Sequence, residues 1–248
     1  MRGLSASQIV HVWERGEGQS DVERALTLLA VASPECSREQ LLSLSVGERD
    51  ALLLELREAT FGSAFNIYAK CPHCAESLEC EIEGAEIRSA TKDTGRSIGA
   101  TESREHLTAG FVLRFRLPDS TDLAAAANCE DAPTARRLIF HRCVLEARRG
   151  EVPVTTEQLP EKVIADFSKH VAECDPQAEI FIHVRCPRCH YEWQAVFDIA
   201  SFLWQEINAL AKHLLREVAV LARAYGWREA DILTMSAARR QFYLELAS

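Results

Sequence analysis

No apolar run in this 248-residue chain approaches the ~20 residues that a membrane-spanning helix needs. The opening Met1-Arg-Gly-Leu-Ser-Ala-Ser7 lacks the apolar core of a secretory signal. Basic charge is also in deficit. A formal net charge of −9 argues against a chain whose main task is neutralising phosphates. There is no Walker-type glycine loop, no Gly-x-Ser-x-Gly and no His-Glu-x-x-His. The eight histidines are scattered; His141, His170 and His213 fall on expected helices and read as structural or surface residues. Glu102 and Glu105 lie in a polar stretch and read as solvated. With no catalytic constellation, an enzyme is not expected.

What the chain does have is material for a core. Apolar residues make up 47% and charged residues 26%, enough for one large domain or two modest ones. Of nine cysteines, Cys36, Cys80, Cys129, Cys143 and Cys174 stand singly and read as buried thiols, small hydrophobes in effect. Unpaired thiols without an export signal point to a reducing cytosol.

The other four form two knuckles, Cys71-Pro-His-Cys74 and Cys186-Pro-Arg-Cys189, with 111 residues between them. A two-residue gap lets one turn aim two sulfurs at one ion, and two such turns complete the tetrahedral thiolate shell that zinc prefers. Both knuckles sit between alternating segments. Phe65, Ile67 and Ala69 precede the first, and Leu78, Cys80 and Ile82 follow it. Ile180, Ile182 and Val184 precede the second, and Tyr191, Trp193, Ala195 and Phe197 follow. Period-two alternation on each side predicts two β-hairpins with a knuckle at each turn. The expected ligands are therefore Cys71, Cys74, Cys186 and Cys189, holding one structural Zn2+ per chain with no open position. Two alternatives remain at this level. One is thiol–disulfide exchange, which needs a helix directly after the first cysteine. The other is two separate metal sites recruiting His73 or His190.

Helical signals frame the hairpins. Ser20-Asp-Val-Glu23, Ser37-Arg-Glu-Gln40 and Ser45-Val-Gly-Glu48 fit the capping box. Asp50–Arg57 continues as a helix that buries Leu53 and Leu56 and stops at Gly62. Residues 84–109 read as a polar loop and Phe111–Leu117 as a strand. A short helix then runs from Asp119 or Ser120 through the alanines, followed by helices over Thr134–Arg148 and Pro160–Cys174. The longest helix is predicted at about Ser201–Tyr225, capped by Gly226, with shorter ones at Arg228–Met235 and after Ser236. The fold expected is α+β: mainly helical, with a zinc-ribbon-like pair of hairpins and an inserted strand-plus-helices module. Its parts are residues 1–62 (helical), 63–86 and 177–199 (ribbon halves), 87–176 (the insert, with polar loop 87–109) and 200–248 (C-terminal helices).

Several further stretches stand out: Gly47-Glu-Arg-Asp-Ala-Leu-Leu-Leu-Glu-Leu-Arg57 with Phe61-Gly62, and Phe115-Arg-Leu-Pro-Asp-Ser-Thr-Asp-Leu123. To these add Phe197-Asp-Ile-Ala-Ser-Phe-Leu-Trp-Gln-Glu-Ile207, Tyr225-Gly-Trp-Arg-Glu-Ala-Asp-Ile-Leu233 and Arg239-Arg240-Gln-Phe-Tyr-Leu244. Together with both Cys-Pro-x-Cys knuckles they resemble the baseplate hub assembly chaperone family of T-even-type phages and related contractile injection systems. The resemblance implies a non-enzymatic assembly factor or baseplate component whose partners are hub or other tail-like particle proteins. It would act in the cytoplasm or stay in the finished particle. Trp227, Arg239, Arg240 and Tyr243, beside Phe242, are the expected partner surface, since Trp, Tyr and Arg dominate interface hot spots. The alternative is that Trp227, Phe242 and Tyr243 pack on the long helix. A zinc-ribbon nucleic-acid adaptor, drawing on Lys70, Arg185 and Arg188, is a further reading; Glu79, Glu81, Glu83 and Glu86 on the hairpin oppose it.

Overall fold

The computed structural model describes residues 1–88 and 103–247. In chain order its elements are α1 (Ala6–Gly16), α2 (Asp21–Ala32), α3 (Arg38–Leu42), α4 (Val46–Phe61), β1 (Ala64–Lys70), β2 (Ser77–Glu83) and α5 (Gly84–Ile87). Then come β3 (Arg104–Thr108), β4 (Phe111–Phe115), α6 (Ser120–Ala126), α7 (Ala132–Cys143), β5 (Val144–Arg149), β6 (Val152–Pro153) and α8 (Glu161–Cys174). The chain closes with β7 (Ile180–Arg185), β8 (Glu192–Phe197), α9 (Ile199–Tyr225), α10 (Glu229–Thr234) and α11 (Ala237–Ala247). This is an α+β protein with small antiparallel sheets.

Two compact units emerge. The first comprises Met1–Glu35, Leu53–Ser63 and Asp198–Ser248. It is all helical. Its N-terminus is set by Ser5, whose hydroxyl and amide form a reciprocal capping box with Gln8. Asp198 caps α9 through the Ala200 and Ser201 N–H groups, and Gly226 ends it in the left-handed conformation at φ 71°. Ile207, Leu214, Val218 and Leu221 form the buried stripe of α9, and Ile9, Val12, Leu29, Leu53 and Leu56 supply further core. Trp13 Nε1 donates to Asn208 Oδ1 at 2.9 Å. Gly16 is required by packing: a Cβ there would lie 2.2 Å from the Trp204 ring. Arg57 grips Glu206 through two bonds of 2.7 and 2.9 Å and also donates to the Gly62 carbonyl.

The second unit comprises Cys36–Leu52 and Ala64–Phe197. It holds both hairpins, β1–β2 and β7–β8, and a four-stranded sheet in the order β3-β4-β5-β6. The core beside that sheet is Leu113, Phe115, Phe140, Cys143, Val163, Ile164 and Phe167. The rings of Phe115 and Phe140 each meet Phe167 edge-on at 5.1 Å. Buried Asp122 is clasped by Arg116 and Arg142, which hold its carboxyl down at about 2 although burial pushes it up. The start of α4 is tied to the same unit: Ser45 and Glu48 complete their capping box, and the Val46 N–H donates to the Pro118 carbonyl.

Several expectations need correction. Of the five single cysteines only Cys143 is buried; Cys36, Cys80, Cys129 and Cys174 are half-buried. The helix expected over Thr134–Arg148 ends at Cys143, and 144–149 form β5. Val144 and Ala147 are both buried, a spacing of three that imitates a helix. It arises because the β4–β5 register slips: Phe115 faces Val144, whereas Arg114 faces Glu146, so Leu145 is bulged out. The polar loop expected over 84–109 contains α5 and β3; its residues 89–102 lie outside the described part of the chain. The β3 strand went unseen because its inward side chains are polar. Arg104 donates to the Cys174 carbonyl, Thr108 to Asp166, and the His106 ring stacks on His170 at 4.1 Å. Helix α8 thus bonds Arg104 and Thr108 and stacks on His106, whose buried Nε2 has no hydrogen-bond partner among the described residues, on a face that an apolar alternation rule passes over.

Candidate metal centre

Each knuckle is built by the hairpin that carries it. In the first, the Cys71 N–H donates to the Glu76 carbonyl at 2.8 Å and the Ala75 N–H returns to the Cys71 carbonyl at 2.9 Å. In the second, the Cys186 N–H donates to the Tyr191 carbonyl at 2.9 Å and the His190 N–H to the Cys186 carbonyl at 2.9 Å. Ala75 and His190 both occupy left-handed backbone, at φ 60°. Adding 115 to the numbering of one hairpin gives the register of the other: Phe65–Ile82 becomes Ile180–Phe197, and Lys70–Ser77 becomes Arg185–Glu192. One supersecondary unit has been used twice.

The two turns bring their sulfurs together. Cys71 Sγ lies 3.7 Å from Cys189 Sγ, and Cys74 Sγ lies 3.6 Å from Cys186 Sγ. All four ligand atoms fall within 4.8 Å of one another. Four sulfurs bound at about 2.3 Å to a tetrahedral centre would stand about 3.8 Å apart, so the close pairs match the edges of one coordination shell. Both close pairs run between knuckles. The structure therefore gathers the four predicted cysteines into a single cluster able to hold one metal ion, with Cys71 and Cys186 buried and Cys74 and Cys189 half-buried.

The clustered thiols shift one another in opposite directions. At Cys74 the Glu76 N–H favours the thiolate, but burial and the Cys189, Cys186 and Cys71 thiols push its pKa up to about 12. At Cys186 burial opposes ionisation, yet the N–H groups of Cys189 and Arg188 and the Cys74 and Cys189 thiols bring it down to about 7. A divalent cation held by these cysteines would take all four as thiolates.

Around the cluster, His73 stacks on Tyr191 at 5.5 Å and Tyr191 on Trp193 at 6.3 Å. His73 and His190 are exposed, and neither belongs to the ligand cluster. Arg188 reaches across from the second knuckle to Glu76 of the first at 2.9 Å, and Arg185 faces Glu192 at 3.5 Å. Both knuckles are followed by strands rather than by the helix that would lower a first cysteine's pKa in a redox enzyme.

The expected partner residues lie in the helical unit. Trp227 stacks on Tyr225 at 4.4 Å, and Tyr243 meets both rings edge-on, at 4.8 Å from Trp227 and 5.8 Å from Tyr225. Arg239 is exposed, with its guanidinium over the Tyr243 ring at 5.7 Å. Arg240 departs from expectation: it is buried, donating to Glu217 at 2.8 Å and to the Met235 carbonyl at 2.7 Å. Its charge holds the α9–α11 packing and is not presented to solvent. Sequence reasoning missed Leu246, which at 64% exposure follows Phe242 (58%) by one helical turn and lies on the same side of α11 as Arg239. The Arg239, Phe242, Leu246 spacing of three and four was the available signal.

A family model described as T4 bacteriophage base plate protein matches residues 26–204, more than two-thirds of the chain. No curated protein and no solved structure matches it. No helix among the described residues is long and apolar enough to cross a membrane.

Proposed function

The chain belongs to the T4 bacteriophage base plate protein family, and on that premise we propose that it is a non-enzymatic assembly factor, or a component, of the baseplate hub of a contractile, phage tail-like injection system. The family match over residues 26–204 carries this reading. In it, Cys71, Cys74, Cys186 and Cys189 hold one structural Zn2+. The support is an all-thiolate donor set, sulfur spacings of tetrahedral size and, among the described residues, no fifth ligand in the cluster. The metal closes a long loop, and two hairpins that would be marginal alone gain a common anchor.

Work is then done by surfaces. On the helical unit, Trp227, Arg239 and Tyr243, together with exposed Phe242 and Leu246, form the face assigned to a baseplate partner. Nucleic acid is a poor fit as ligand. Arg185 and Arg188 are already committed to Glu192 and Glu76, and the net charge is −9.

The test is affinity capture from cells that make the particle, using the full chain as bait. Baseplate proteins are expected in the eluate, with capture reduced roughly tenfold by Arg239→Ala combined with Phe242→Ala. An eluate empty of baseplate proteins would overturn the assignment.

A further inference from the structure

The sheet-bearing unit has an opening into its own core. Between α7 and α8 lies a groove of about 350 Å3. Its walls are Ala132, Ala135 and Ile139 from α7 and Val171 from α8, and its floor is Phe140 and Phe167. Ile139 and Val171 are only partly buried, although they pack against the core cluster. The wall residues of α7 recur at steps of three and four, so they line one side of that helix. An apolar cavity of about 150 Å3 already holds a benzene-sized group, so this groove has room for more than one apolar side chain.

Polar features on the lining are few. Ser168 spends its hydroxyl on the Ile164 carbonyl at 3.0 Å. Arg136 sits on the lining and is exposed. In the same unit Arg114, Arg116, Arg137, Arg142 and Arg148 each hold a carboxylate. Arg136 holds none among the described residues. A small-molecule pocket fixes its ligand with several convergent polar groups; here an apolar groove between two helices with one uncommitted cation on its lining suits a different occupant.

We propose that this α7–α8 groove is the docking site for an amphipathic helix of a protein partner, which inserts apolar anchors at helical spacing and sets a carboxylate against Arg136. Charge complementarity to Arg136 and an apolar groove between two helices favour this occupant, since an amphipathic helix lays its apolar face in such a groove. The proposal rests on the assembly role above for the partner's identity, and it adds a second contact surface distinct from the Trp227–Arg239–Tyr243 face.

The experiment uses the full chain and two synthetic helical peptides with Leu at i, i+3, i+4 and i+7. One is flanked by Glu, the other by Lys at the same positions. Binding is read by fluorescence anisotropy. The Glu peptide is expected to bind, and the Lys peptide roughly tenfold more weakly. Arg136→Glu should reverse that preference, and Ala135→Trp should abolish binding of both peptides, with the melting temperature of each variant unchanged. Binding that ignores peptide charge and Arg136→Glu, or that survives Ala135→Trp, would overturn the proposal. So would a wild-type dimer that Ala135→Trp turns into a monomer, because a second copy would then fill the groove. Peptide binding as expected alongside a bait that captures no baseplate protein would support the groove while retiring the assembly role.

Discussion

Gly47 and Asp175 touch without room for a side chain between them. The Gly47 N–H donates to Asp175 Oδ2 at 2.9 Å, and a Cβ on residue 47 would stand 2.0 Å from Oδ1 and 2.9 Å from the Ala178 nitrogen. Asp175 is buried, which raises its pKa above the usual carboxylate range, while the Gly47 N–H pulls the other way. The first turn of α4, whose N–H groups must find partners outside the helix ladder, is thus anchored to the end of α8 by one buried carboxylate.

Gly47→Ala should therefore destabilise the fold by about 1–3 kcal/mol, the usual cost of overpacking a site that cannot give way. Denaturant unfolding checks it. An unchanged midpoint would mean that the contact relaxes freely.

The metal cluster predicts a stoichiometry and a dependence. Metal analysis of the purified chain should find one zinc per protein, and chelation should unfold or aggregate it, because thiolate–zinc binding is worth about 10–16 kcal/mol apparent in small modules. Cys71→Ser should abolish tight zinc retention. A metal-free protein that melts like the untreated one would count against the reading.

The His106–His170 stack predicts a pH response. Burial, then the neighbouring His170, lowers the His106 pKa below 6.5, with Asp166 and Glu173 opposing. In the folded chain its neutral form is favoured, so below pH 6.5 the unfolded chain binds more protons and folding stability falls as the pH drops. Melting temperatures between pH 7.5 and 5 should decline, and His106→Phe should flatten that decline. An equal slope in the variant would remove His106 as its source.

Arg239 and Arg240 are adjacent in sequence and opposite in role. Arg240→Ala leaves Glu217 nearly buried without its main cation and should cost about 3 kcal/mol. Arg239→Ala at the surface should stay within about 0.5 kcal/mol. Paired denaturation curves distinguish the two; equal effects would contradict the assignment.

The hairpins were legible because period-two alternation flanks each knuckle, and the knuckle spacing named its own ligands. Capping boxes at Ser5, Ser37 and Ser45 and the glycine stops at Gly62 and Gly226 are chemical marks of helix ends, and those at Ser37, Ser45, Gly62 and Gly226 could be read directly. What escaped depends on partners distant in sequence. The β3 strand faces inward with Arg104, His106 and Thr108, which meet α8: it accepts bonds from Arg104 and Thr108 and offers His106 a stacked ring. The β5 strand carries a helix-like spacing because its register slips against β4. Ala75 and His190 in left-handed backbone leave no glycine to mark the turn. The burial of Arg240 follows from Glu217, twenty-three residues upstream.

The most direct test of the central claim is to fractionate baseplate assembly complexes from producing cells and weigh their contents by native mass spectrometry. This chain is expected in complexes with baseplate proteins, each copy carrying one zinc. A chain found alone at 27.7 kDa, in every fraction and at every stage of assembly, would contradict it.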